Sequence, residues 1–210
     1  MKNKYLRGIL TIVALVILAG CGSTPGSPGS SGDTGVMLSA TIAPKAAGSL
    51  STGNVDAIIH LCSAGPPPVY ETLADQLATV TINAQLLSPD STVPVGNIYI
   101  DKYTVEFKRS DDSVGAPPIL TDTRYQQIFI KAPTGTGTTT VTQDIIFIDV
   151  PRKVQYATDI LNSAYSSINN TTINNYTAIF TFEGQNDFGE HFSFQTHLGF
   201  SIGDYDTCGG

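Results

Sequence analysis

Three cysteines and three histidines hold most of the soft chemistry open to this 210-residue chain: Cys21, Cys62, Cys208, His60, His191 and His197. Thiols can carry a covalent group, close a disulfide or ligate a metal. Imidazoles can move a proton or donate a nitrogen to a metal. A catalytic metal needs several such ligands at one point, and neither His-Glu-x-x-His nor Cys-x-x-Cys occurs in the sequence. His191 and His197 lie six residues apart in a stretch that alternates as a strand. At roughly 3.3 Å per residue they stand about 20 Å apart, too far to chelate one ion. His60-Leu61-Cys62 offers two ligands on one strand face, although a histidine there more often serves structure or faces water. For a hard cation, the residues that come nearest to a set are Asn186, Asp187 and Glu190 at one hairpin tip, with Asp204 and Asp206 further on. Calcium wants six to eight oxygens, the EF-hand spacing is absent, and acid-rich turns are usually only turns. The reading for metals and cofactors is therefore none. Nor does a Gly-x-Ser-x-Gly stand between a strand and a helix, so acyl transfer is disfavoured.

The first cysteine ends a distinctive segment. Lys2, Lys4 and Arg7 precede an apolar run from Ile9 to Leu18, followed by Leu18-Ala19-Gly20-Cys21. A ten-residue run, apolar except for Thr11, is about half of the roughly 20 residues that a spanning helix needs, so it reads as a cleaved export signal. The last four residues resemble the lipobox of bacterial lipoproteins. That resemblance implies a cut before Cys21 and a lipid on its sulfur. Gly22 to Gly35 reads GSTPGSPGSSGDTG, a composition that buries nothing and spans roughly 20 Å as a flexible tether. Two acyl chains would suffice for stable anchoring where one does not. In such lipoproteins an Asp after the lipidated cysteine favours the inner membrane, so Gly22 points to the outer membrane.

Lys2, Lys4 and Arg7 are three of 11 basic side chains, so the remainder carries eight against 18 acidic ones, a formal net charge of −10. Nucleic acid is an unsuitable partner for such a surface. Residues 1–20 are read as signal peptide, 21–35 as lipidated cysteine and tether, and 36–210 as a single domain of ordinary size. With Cys21 taken by lipid, Cys62 and Cys208 remain as an even pair in an oxidising compartment, where a disulfide is expected. Closing so long a loop is worth roughly 5 kcal/mol by chain entropy. The rival reading is two free or metal-binding thiols.

The elements that must position these groups read as strands. Short β-branched and aromatic runs alternate with Gly, Pro, Asn and Asp clusters, the pattern of an all-β sandwich or barrel. Val36–Ala43, Val55–Leu61, Ala78–Leu87, Asn97–Arg109, Tyr125–Lys131 and Val141–Val150 are the expected strands. In Asn97–Arg109 the apolar parity switches between Ile98/Ile100 and Tyr103/Val105/Phe107, which predicts a β-bulge or bend at Asp101-Lys102. Ile145-Ile146-Phe147-Ile148 reads as central and covered on both faces. The cover is expected from a helix over about 152–166, where Val154, Ala157, Ile160, Leu161, Ala164 and Tyr165 recur at helical spacing.

Tyr176-Thr-Ala-Ile-Phe-Thr-Phe182 and Phe192 to Ile202 each place one parity inward, joined by the turn-rich Glu183–Glu190. This arrangement resembles the closing strands of bacterial immunoglobulin-like and fibronectin-like modules. It implies an antiparallel immunoglobulin-like β-sandwich and no particular activity. The functional expectation is a lipid-anchored envelope domain, outer membrane before inner, that binds or scaffolds an envelope or extracellular protein without catalysis. Its contacts would be loops such as Asp111–Thr123 or an open sheet edge. The alternatives are an envelope hydrolase whose paired carboxylates only folding brings together, or a ligand-binding lipoprotein.

Overall fold

Apolar residues that recur at every second position commit most of this chain to strands. The computed structural model describes residues 35–46, 50, 52–88, 90, 94–113, 115–162, 165, 173–205 and 208. In chain order the strands are β1 (Val36–Pro44), β2 (Asn54–Asp56), β3 (Leu61–Ser63), β4 (Val69–Tyr70), β5 (Gln76–Leu86), β6 (Ile98–Arg109), β7 (Asp122–Ile130), β8 (Thr138–Ile148), β9 (Asn174–Asn186) and β10 (His191–Gly203). One helix, α1 (Val150–Leu161), follows β8. Among the described residues the fold is mostly β, with one short helix and largely antiparallel sheets.

A three-stranded sheet runs β1-β5-β8 and a five-stranded sheet runs β2-β10-β9-β6-β7, while β3 and β4 form a small ribbon. The five-stranded sheet curls into a half-barrel. Only β2 departs from antiparallel pairing among the described strands: it lies parallel to the end of β10, Val55 opposite Ile202. The two sheets share one apolar cluster. Phe147 of β8 meets Phe180 of β9 and Phe200 of β10 at ring-centroid distances of 6.5 and 5.3 Å. A ladder of stacked rings continues through Phe182 and Phe194, 5.2 Å apart. The inward parity of the final hairpin is as the sequence indicates: Tyr176, Ala178, Phe180 and Phe182 are buried, as are Phe192, Phe194, Leu198, Phe200 and Ile202.

The parity switch in β6 is resolved by a bulge between Ile100 and Lys102, seen against both β7 and β9. It leaves Asp101 exposed while Ile98, Ile100, Tyr103 and Val105 are all buried. The carboxylate goes to water, which spares the cost of an unpaired buried charge.

Three local expectations are corrected. Val55–Leu61 is not one strand, because Asp56 Oδ1 accepts the Ile58 N–H at 3.3 Å and turns the chain out of the sheet after β2. The run Ile145–Ile148 is not central, since β8 is an edge strand. Its unbroken apolar character has another cause: the register shifts opposite Gln76/Leu77, so Phe147 and Ile148 are both buried instead of alternating. The helix starts earlier and ends sooner than 152–166. Asp149 caps it, accepting the Arg152 N–H at 3.1 Å, and Pro151 sits in the first turn where its missing N–H is harmless. Its buried face carries Lys153 and Tyr156, while Val154 and Leu161 point outward. The Tyr156 hydroxyl donates to Ile202 O at 3.1 Å and accepts from Asn174 Nδ2 at 2.8 Å. The helix is thereby fastened to the ends of β9 and β10.

Candidate functional site

A group of ionisable and sulfur-bearing side chains lies where β2, the end of β10 and the β3/β4 ribbon meet. Ala57 N donates to Gly203 O at 2.9 Å, which extends the β2/β10 pairing. The next turn of chain folds back on itself: Glu71 N donates to His60 O at 3.0 Å, and His60 N donates to Glu71 Oε2 at 2.9 Å. The His60 imidazole pairs with Asp204, just beyond β10. Asp56 Oδ1 also accepts from Tyr205 N at 3.3 Å. Cys62 and Cys208 come to disulfide distance, with Cα atoms 5.1 Å apart. Four contacts between residues 56–62 and 203–208 thus form a latch.

Burial sets the electrostatics of this latch. Asp56 is buried, and desolvation raises its pKa against the opposing N–H groups of Tyr205 and Ile58. Lys153, only 4% exposed, reaches the same region from α1. Desolvation lowers its pKa, and the carboxylates of Asp56 and Asp75 pull it partly back. Glu71 is 8% exposed, and one of its carboxylate oxygens lies within 4.8 Å of both cysteine sulfurs. The sequence marked Cys62 and Cys208 and gave no sign of Glu71, Asp56 or Lys153. An acid buried beside a disulfide follows no spacing rule, because residues far apart in the chain meet there only after folding.

The hairpin tip does gather Asn186, Asp187 and Glu190, and their polar atoms are engaged in closing the turn. Asn186 Oδ1 accepts from the N–H groups of Phe188 and Glu190, both at 3.0 Å, and Asn186 Nδ2 donates to Glu190 Oε2 at 2.6 Å. Asp187 Oδ2 accepts from Asn97 N at 2.8 Å and Asn97 Nδ2 at 2.9 Å. The Asn97 N–H, with the Tyr99 hydroxyl behind it, holds the Asp187 carboxyl below its ordinary pKa. These bonds join the tip to the start of β6. Asp204 belongs to the latch instead, and His191 and His197 are exposed on the outer face of β10. Cys21, the segment 21–34 and Asp206 lie outside the described residues.

Two further groupings stand out. Asp122 and Asp149 bracket Arg124 and Arg152: Arg124 Nε to Asp122 at 2.6 Å, Arg124 Nη2 to Asp149 at 2.8 Å, Arg152 Nη2 to Asp122 at 3.0 Å, and Arg152 Nη1 to Asp149 at 2.7 Å. Two positive and two negative charges balance, and they tie β7 to the start of α1. On the outer face of the five-stranded sheet, edge strand β7 displays Tyr125, 83% exposed, and Phe129, 51% exposed. The Tyr99 ring sits 5.5 Å from that of Phe129. Beside Tyr125, Lys102 and Glu183 form an ion pair at 2.8 Å. The parity of β7 carried this signal, since Ile128 and Ile130 point inward and leave Tyr125 and Phe129 outward. A shallow cleft of about 260 Å³ opens between Pro118–Leu120 and Pro151, Arg152 and Gln155. No protein-family profile, no curated protein and no solved structure matches the chain.

Proposed function

We propose that this protein is a bacterial lipoprotein, anchored through lipid on Cys21, that displays a β domain for binding or scaffolding an envelope or extracellular protein. The observation that carries the binding role is the exposed aromatic pair Tyr125 and Phe129 on edge strand β7, with the half-buried Tyr99 of neighbouring β6 against Phe129. Large aromatic side chains in water are a cost to a free surface and a common anchor of interfaces. The open backbone of β7 can accept an added strand, and the rings beside it would select the side chains of that strand. The lipobox at Leu18–Cys21 and the tether from Gly22 supply the anchoring part, with the outer membrane as the favoured address. The domain is read as a variant immunoglobulin-like sandwich on two supports: the inward hairpin of β9 and β10, and the shared core of two sheets.

The test compares the intact chain with two variants in whole cells. Cys21→Ser should move the protein from the membrane to the soluble extract and abolish the mass increment of diacylation. Tyr125→Ser with Phe129→Ser should keep the melting profile and lose the partner recovered by crosslinking and mass spectrometry. Equal recovery by the double variant removes the β7 surface from the proposal, and a soluble wild-type chain removes the anchor.

A further inference from the structure

We infer that the latch is also a redox-gated metal site: once reduced, Cys62 and Cys208 together with Glu71 take up a zinc-class divalent cation. The inference stands on the geometry of residues 60–71 and 208 and is independent of the anchoring proposal. Both sulfurs and a carboxylate oxygen already lie within 4.8 Å of one another. Tetrahedral zinc holds sulfur at about 2.3 Å and oxygen at about 2.0–2.2 Å, so its ligands stand roughly 3.5–4 Å apart. The three groups reach that spacing by small side-chain shifts. Glu71 is the informative member. A disulfide needs no carboxylate beside it, yet this one is buried and accepts the His60 N–H at 2.9 Å, while the Glu71 backbone N–H donates to His60 O at 3.0 Å and fixes the residue that carries it. Such outer bonds orient a ligand before the metal arrives. Two thiolates and one carboxylate suit a borderline-soft cation over calcium or magnesium. Cys208 is exposed, so water can fill the fourth position.

The gating step balances with a dithiol reductant. One thiolate of the reductant attacks Cys62 or Cys208 and forms a mixed disulfide. Its second thiolate then closes the reductant into a cyclic disulfide and leaves two protein thiols. Zinc binding displaces the two thiol protons, and the Glu71 carboxylate completes the protein ligands. Reoxidation by a disulfide-class oxidant runs the same exchange in reverse: one protein thiolate forms a mixed disulfide with it, the second closes the Cys62–Cys208 bond, and the oxidant leaves as its dithiol. The metal is expelled because a disulfide sulfur is not a thiolate donor.

The experiment uses the full 210-residue chain carrying Cys21→Ser, so that Cys62 and Cys208 supply all of its thiol. After reduction by a dithiol and its removal without oxygen, Co²⁺ is added as a spectroscopic stand-in and displaced by Zn²⁺. The expected result is one Co²⁺ per chain, a thiolate-to-cobalt charge-transfer band, and its loss on adding Zn²⁺. The oxidised chain should show no such band. Glu71→Gln keeps an acceptor for the His60 N–H and should weaken zinc binding at least about tenfold, the lower end of what even an outer partner contributes. Cys208→Ser, in the exposed terminal turn, should abolish the band while leaving Glu71 in place. Absence of a thiolate band in the reduced chain overturns the inference, as does equal zinc affinity with Glu71→Gln. Because the readout is the metal spectrum itself, it reports ligation equally when the reduced chain is folded beforehand and when it folds around the ion.

Discussion

The carbonyl oxygen of Tyr99 occupies the space that a side chain on Gly184 would need: a Cβ there would lie 1.9 Å from it. Gly184 faces the bulge of β6, opposite Ile100, and across β10 it is covered by the Phe192 ring, whose tip would be 2.8 Å from the same Cβ. The backbone of one strand thus rests directly on another where the register changes. Gly184→Ala must push β6 and β9 apart at that point. The expected loss is about 1–3 kcal/mol, read as a lower urea midpoint with unchanged slope. An unaltered midpoint would show that the bulge relaxes freely.

Asp149 closes α1 and joins two guanidinium groups at once. Burial would raise its pKa, but the Arg152 N–H and the guanidinium groups of Arg152 and Arg124 outweigh it and hold the carboxyl below 3.8. A carboxyl lowered on folding contributes stability that is complete above the unfolded value and lost as pH falls through the folded one. Asp149→Ala should cost about 2–4 kcal/mol at neutral pH, combining a lost cap with uncompensated arginines. Asp149→Asn keeps the cap and should recover part of that loss. The wild-type advantage over Asp149→Asn, followed by thermal melts from pH 6 to pH 2, should shrink below about pH 4.

Three buried tyrosines predict how the fold meets alkali. Desolvation pushes the pKa of Tyr103 and of Tyr156 up to about 12, and that of Tyr176 higher still. Above pH 10 the unfolded chain releases these phenolic protons and the folded chain keeps them. Stability should therefore fall by about 1.4 kcal/mol per pH unit for each tyrosine between about pH 10 and 12. Lys153 works in the opposite sense: its lowered pKa means that the folded chain sheds a proton first, so its contribution rises with pH until about 10.5. The measurement is the urea midpoint from pH 9 to pH 12 together with tyrosinate absorbance. Ionisation of all tyrosines before unfolding would contradict the expectation.

Phe147 packs across the space between the two sheets, meeting both Phe180 and Phe200. Phe147→Ala should cost about 3–5 kcal/mol. Tyr103→Phe removes only a hydrogen bond to Ile146 O, 2.8 Å long, and should cost about 1 kcal/mol. The ratio of these two losses, measured by denaturant titration, reports how much of the inter-sheet attachment is apolar.

Strand content was legible because one face of each long strand is buried and period-two alternation records that burial. The bulge at Asp101 was legible for the same reason, as a break in the alternation. The start of α1 was not, since Val150 reads as the end of a strand and only the Asp149 side chain reveals the cap. Nor was the edge position of β8, because Phe147 and Ile148 imitate a strand covered on both sides. At the candidate site the cysteine pair could be read from a count of three, whereas Glu71, Asp56 and Lys153 could not. Their burial is a property of the folded latch, and polar residues carry no periodic mark of it.

The parallel pairing of β2 with β10 fixes an order of events during synthesis. β10 lies inside the five-stranded sheet, between β2 and β9, yet it is made after every other described strand. Until it emerges, β2 has no partner, β9 exposes Tyr176, Phe180 and Phe182, and Cys62 has no Cys208. The domain therefore stays open while its other described strands are made and closes only when β10 and Cys208 have emerged. A nascent polypeptide of this kind remains threadable for as long as its last hairpin is withheld.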